Sequence, residues 1–107
     1  MKTDVKRNKI TEELLVKSDT EVKRLANAII VALKERTHCT LVAVGPMAVN
    51  QAIKGLASAN GLASAHGEKL VMTPYFQDRP MKNNKEIKTV MVMAVEKKKI
   101  NFAPESI

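Results

Sequence analysis

Three groups of residues in this 107-residue chain have the types and spacing to hold an anion. The first is Asn50, Gln51, Lys54 and Ser58, in "AVGPMAVNQAIKGLASANG". Asn50, Lys54 and Ser58 recur at i, i+4 and i+8, on one side of a helix. Gly45-Pro46 opens that helix and leaves the N–H groups of Met47 and Ala48 without intrahelical partners. Helix starts hold phosphate through such groups. No Asp or Glu occurs between Arg36 and Gly67, although a helix start favours acids. A bound anion would fill that role; the competing explanation is a helix packed too tightly for acids. The second group is Lys17-Ser18, between an expected strand and another helix. If the first two strands are parallel, the Lys17 and Gly45 turns share one sheet edge, where open α/β sheets take ligands. The third is Arg79, Lys82 and Lys85, with Lys88 beside them, in a polar loop tipped by Asn83-Asn84. Such a loop can project and follow a phosphate backbone.

Other chemistries find little support. "VGPMAVNQ" is neither a P-loop nor G-x-G-x-x-G, so nucleotide binding is weakly favoured. There is no Ser/His/Asp set, no isolated carboxylate pair and no catalytic setting for a cysteine, so no enzyme is expected. Cys39, the only cysteine, opens an apolar run and reads as a buried thiol. His38 and His66 are scattered and read as solvated, so neither metal nor cofactor is expected. A charged N-terminus and the lack of a long apolar run point to the cytoplasm. Tyr75 and Phe76 are strand neighbours on opposite faces; at most one can stack on a base, and the other is expected in the core.

The net charge is +7, with the excess concentrated in residues 1–12 and 78–99. A clustered basic surplus on a small domain fits a polyanion partner, or else a solubilising surface.

The elements that must position these residues follow from periodicity. Residues 1–11 are polar and basic and read as a flexible arm; 12–97 form one domain and 98–107 a tail. Glu13–Lys17 is a short apolar strand. A helix follows, with Ser18 and Glu21 as a capping box and Val22, Leu25, Ala26, Ile29, Ala32 and Leu33 as its apolar stripe. Cys39–Gly45 is a buried strand. The second helix is expected to run to Asn60 and stop at Gly61, with Val49, Ala52, Ile53 and Leu56 towards the core. Ala48, Ala52, Gly55 and Ala59 form a strip of small residues that admits a close neighbour, either the sheet or a second subunit. Glu68–Phe76 is a third strand, at an edge because Pro74 cannot donate to a ladder. Ile87–Glu96 is a fourth, apolar on both faces and therefore central. The fold is thus α+β in two layers, βαβαββ, with both helices on one face. The other face needs cover, and a second subunit supplies it most simply.

The run from Ala43 to Phe76 resembles the bacterial stage V sporulation protein S family. The resemblance rests on the helix core Asn50-Gln51-Ala52-Ile53-Lys54-Gly55 and on the strand end Pro74-Tyr75-Phe76. "LLVKSDTEVKRLANAII" is similar to the same family's first turn and helix, so the likeness spans roughly Leu14 to Val95. That family is similar in fold to Alba, a small basic archaeal chromatin protein. The likeness implies a mixed four-stranded sheet, with the fourth strand inside and the third at the edge. Alba-like proteins dimerise and bind DNA or RNA through first-turn lysines and hairpin arms. By position these are Lys17 and Arg79, Lys82 and Lys85, while Asn50 and Lys54 match the sporulation family's helix motif.

The expected function is a non-enzymatic, homodimeric protein that binds nucleic acid without sequence preference and serves sporulation or developmental regulation. The second helix or the hairpin strands would form the dimer. The alternatives are a protein-interaction module and a small-anion or nucleotide sensor at the helix starts.

Overall fold

The computed structural model describes residues 5–8, 13–81 and 86–100. In chain order the elements are β1 (Lys6–Asn8), β2 (Glu13–Val16), α1 (Val22–Glu35), β3 (His38–Ala43), α2 (Pro46–Ser64), β4 (Glu68–Pro80) and β5 (Ile87–Lys99). The four strands expected from the sequence are present in order. The sheet runs β1-β2-β3-β5-β4, so β5 is central and β4 lies at the edge. β2 and β3 are parallel; the β3–β5 and β5–β4 pairs are antiparallel. Lys6–Asn8, read from the sequence as part of an arm, is instead a short fifth strand antiparallel to β2. Arg7 in that strand pairs with Glu35 at the end of α1, which fixes it to the helix layer.

Both helices pack on one face of the sheet. Leu14, Leu41 and Met93 from the strands meet Leu25, Ile29 and Leu33 of α1 and Ala52 and Leu56 of α2. Cys39 is buried there, as its apolar setting implied. On α1 the buried stripe is Leu25, Ala26, Ile29, Ala32 and Leu33, as their spacing indicated, while Val22 at the helix start is only half-buried. On α2 the expected stripe needs correction. The buried line is Ala48, Ala52, Gly55, Leu56, Ala59 and Ala63, while Ile53 is 45% exposed. The cause is the close approach of the helices: a Cβ added at Gly55 would lie 2.5 Å from Leu25 Cδ2. The small-residue strip is therefore filled by α1 and the sheet of the same chain, and is not open to a partner.

Four boundaries also shift. No side chain caps α1, which starts at Val22 after Glu21, so the Ser18–Glu21 capping box does not form. α2 passes through Gly61 and buries Ala63; the glycine with positive φ (74°) that follows the helix is Gly67. β4 extends to Pro80, through polar residues read as loop, and β5 runs on through the lysines of its strand end to Lys99, two residues past the expected domain boundary at 97. On the outer side of β4, the Leu70 N–H donates to Asn60 Oδ1 of α2 at 2.9 Å.

The sheet face away from the helices holds a small buried cluster, Val42, Val90 and Val92. Its cover comes from within the chain. The end of the β4–β5 hairpin turns over this face, bringing Arg79 to Glu13 of β2. A second subunit is not needed to bury it.

Candidate nucleic-acid interface

In the parallel β2–β3 pair, Val16 lies beside Ala43, so the chain leaves both strands at the same end of the sheet. After β2 it makes a tight turn. The Lys17 N–H donates to Thr20 Oγ1 at 2.7 Å, and the Thr20 N–H donates to the Lys17 carbonyl at 3.1 Å. Thr20 is buried with both groups satisfied, leaving Lys17 and Ser18 exposed. The Thr20 carbonyl accepts Gln51 Nε2 at 2.8 Å. Gln51 thus ties α2 to the turn before α1; it braces the site and is half-buried.

After β3, Gly45 has φ +89°, a left-handed backbone that a side chain would strain. Pro46 then takes the first helical position. The Val49 N–H donates to the Gly45 carbonyl at 3.1 Å, so the amides of Met47 and Ala48 precede the first intrahelical bond. Met47 is exposed and Ala48 buried. Farther along α2, Asn50, Lys54 and Ser58 are all exposed, as their common side required.

The hairpin arm differs from its expected form. Lys82 and Lys85 lie outside the described residues. Arg79 grips Glu13 with both terminal nitrogens, at 3.0 and 2.7 Å, and its Nε donates to Gln77 Oε1 at 2.6 Å. The guanidinium hydrogen bond holds the Glu13 carboxyl below its ordinary range, and the carboxylate raises Arg79 in return. Arg79 is therefore a clamp between arm and sheet, and its charge is already answered.

These contacts divide the predicted residues. Lys17, Ser18 and Arg79 face one cleft of about 800 Å³, floored by Leu15, Val42 and Val90 and closed on one side by Pro80 and Met81. Asn50 and Lys54 do not line it; they stand on α2, joined to the cleft rim only through Gln51 and Thr20. Sequence reasoning missed Glu13, whose partner is 66 residues away. It also missed Lys69 and Lys98, which stand directly opposite each other across β4 and β5. Only the hairpin register reveals that pair. Tyr75 and Phe76 are both exposed, so neither enters the core as one was expected to. Among the described residues no group of His, Cys, Asp and Glu could hold a metal ion. No helix among them is long and apolar enough to cross a membrane.

The family model described as Stage V sporulation protein S matches residues 12–98. The chain belongs to the stage V sporulation protein S family. It is thus related to sporulation proteins, as its motifs indicated. The match takes in every element from β2 to the end of β5 except Lys99, and so includes the Lys17 turn, the Gly45 turn and the arm. β1 lies outside the stage V sporulation protein S match, so the Arg7–Glu35 attachment falls beyond it.

Proposed function

We propose that this chain is a non-enzymatic, dimeric regulator that binds nucleic acid through its phosphates, without sequence preference, in the cytoplasm. The observation that carries the reading is the end of the sheet where the Lys17 turn and the start of α2 adjoin. There exposed Lys17 and Asn50 accompany the free helix-start amides, Lys54 and Ser58 follow on the next turns of the same side of α2, and α2 contains no acid in 19 residues. Asp19 is the acid in the adjoining turn. The dimer is assigned to the helix side of the edge strand. Phe76 is 72% exposed there, in line with Leu70 and Met72, and Ile53 of α2 stands beside those two residues. Exposed apolar groups of this size serve as contact surfaces. The same patch favours a second reading, a module that docks another protein and touches no nucleic acid.

Salt dependence separates the two. Each phosphate contact on duplex DNA contributes a log–log slope of about −0.9. Two or three contacts should give a slope of about −2 to −3 in a mobility-shift or anisotropy titration. No binding to duplex, single-stranded DNA or RNA at low salt would leave the protein-docking reading.

A further inference from the structure

The face of the β4–β5 ribbon that points away from the helices carries a pattern that the proposed site leaves unused. The register is continuous from Glu68–Lys99 to Pro80–Ile87, so directly opposed residues share a face. On the face away from the helices lie the rungs Lys69–Lys98, Val71–Glu96, Thr73–Ala94, Tyr75–Val92, Gln77–Val90 and Arg79–Lys88. Val92 and Val90 belong to the cluster opposite the helix core, which fixes the side. Lys69 and Lys98 are both exposed. Two like charges directly opposite each other weaken a strand pair, and an anion placed between them reverses the sign. Nearby, Lys97 points to the other face and is matched by Glu68 at 3.6 Å. The acid on the ribbon face is Glu96, which stands opposite His38 in the β3–β5 register.

Tyr75 lies six residues from Lys69 along the strand, about 20 Å. It is 46% exposed and stands on the same face as Arg79. Lys88 lies exposed beyond it. One face therefore offers a cation pair, the Val71–Glu96 rung, the small residues Thr73 and Ala94, a half-exposed aromatic ring and, beyond Gln77, a further cation, in that order. A duplex cannot use the ring, because its bases are already stacked. An unpaired strand can lay a base on the ring while its phosphates meet the lysines.

We propose that this ribbon face is a platform for single-stranded nucleic acid, with Tyr75 stacking a base and Lys69, Lys98 and Lys88 holding phosphates. This rests on the nucleic-acid reading above and adds a strand type and a second surface to it.

Tyr75 is the only tyrosine and the chain has no tryptophan, so its emission reports on this position alone. Titrating the full chain with a short oligothymidylate at low salt should quench that emission. The quenching should saturate together with the anisotropy of labelled oligothymidylate. Tyr75→Phe should keep the affinity, and Tyr75→Ala should lower it about fivefold or more. Lys69→Gln with Lys98→Gln should flatten the salt slope by about 1.4, from about 0.7 per contact on a single strand. Binding of oligothymidylate with unchanged emission and a parent-like Tyr75→Ala variant would overturn the platform while leaving the nucleic-acid reading intact. Binding to duplex but not to oligothymidylate would also overturn it. Binding to neither, nor to RNA, would remove both. The quenching measurement uses the unaltered protein, so it decides the question even if a variant folds poorly.

Discussion

Replacing Gly55 by alanine tests the packing that sets the whole helix layer. An alanine in mid-helix normally gains about 1 kcal/mol over glycine. Here the added Cβ would lie 2.5 Å from Leu25 Cδ2, 2.7 Å from its Cγ and 3.2 Å from its Cβ. Ordinary contact begins near 3.4 Å. Leu25 is fully buried and cannot swing into solvent, so α1 and α2 must separate or Leu25 must leave its rotamer. Overpacking of this kind costs about 1–3 kcal/mol, which exceeds the propensity gain in all but its mildest form. The expected net loss is about 1 kcal/mol, or a fall in Tm of about 4–8 °C for a domain of this size. Gly61→Ala supplies the comparison. Gly61 is also in α2, but an added Cβ there meets nothing within 4 Å. That variant should gain up to about 1 kcal/mol. Urea and thermal melts of the two variants and the parent give the answer. A Gly55→Ala protein as stable as Gly61→Ala would refute the close contact between the helices.

Three further outcomes are expected. Glu13→Gln should cost about 1 kcal/mol or less at neutral pH, because both partners of the Arg79 clamp remain about 30% exposed. The Glu13 carboxyl is lowered from 4.5, so the clamp's contribution is complete above that value and disappears as pH falls through the folded-state value. Urea melts should therefore show a smaller acid-side loss in Glu13→Gln than in the parent, and equal losses would mean that the clamp adds nothing. Lys54→Glu should weaken nucleic-acid binding and remove about one contact from the salt slope, with an unchanged melt because Lys54 is exposed; a parent-like slope would take α2 out of the interface. Phe76→Glu should shift light-scattering mass towards a monomer at high protein concentration, and a parent that is already monomeric there would exclude the dimer.

Much of the architecture was legible because burial imposes periods. The α1 stripe and the two-sided apolar run of β5 could each be read directly from residue order. Pro74 placed β4 at the edge because it lacks a donor. The errors have equally specific causes. Ile53 is large and apolar, yet Gly55 lets α1 approach so closely that the alanines, not Ile53, face the core. Gly61 looked like a helix stop, but Ala63 gains burial by continuing the helix, and the left-handed turn falls at Gly67. "QDRP" looked like loop because it is polar, whereas an edge hairpin is held by its backbone and needs few apolar side chains. At the candidate site, the helix-start geometry was local and therefore readable. The Arg79–Glu13 clamp and the Lys69–Lys98 rung depend on how distant segments meet, which no short window of sequence contains.

The outer rim of β4 sets a limit on how copies of this chain can join. An edge strand exposes a row of N–H groups that can recruit the edge of a neighbour and start an open-ended stack. Leu70, Pro74 and Pro80 share one parity along the strand, the parity whose N–H positions point outwards, as the bond from Leu70 to Asn60 shows. Asn60 occupies the first of these positions, and the two prolines have no N–H to offer. At the opposite edge, β1 is only three residues long. The outward donors that remain, on Met72, Phe76 and Asp78, are separated by Pro74, so neither border offers a long unbroken template for strand addition. Growth of the sheet from one molecule into the next is therefore hindered along this border. Asn60→Ala would restore a donor to that border and make the protein more prone to fibrous aggregation.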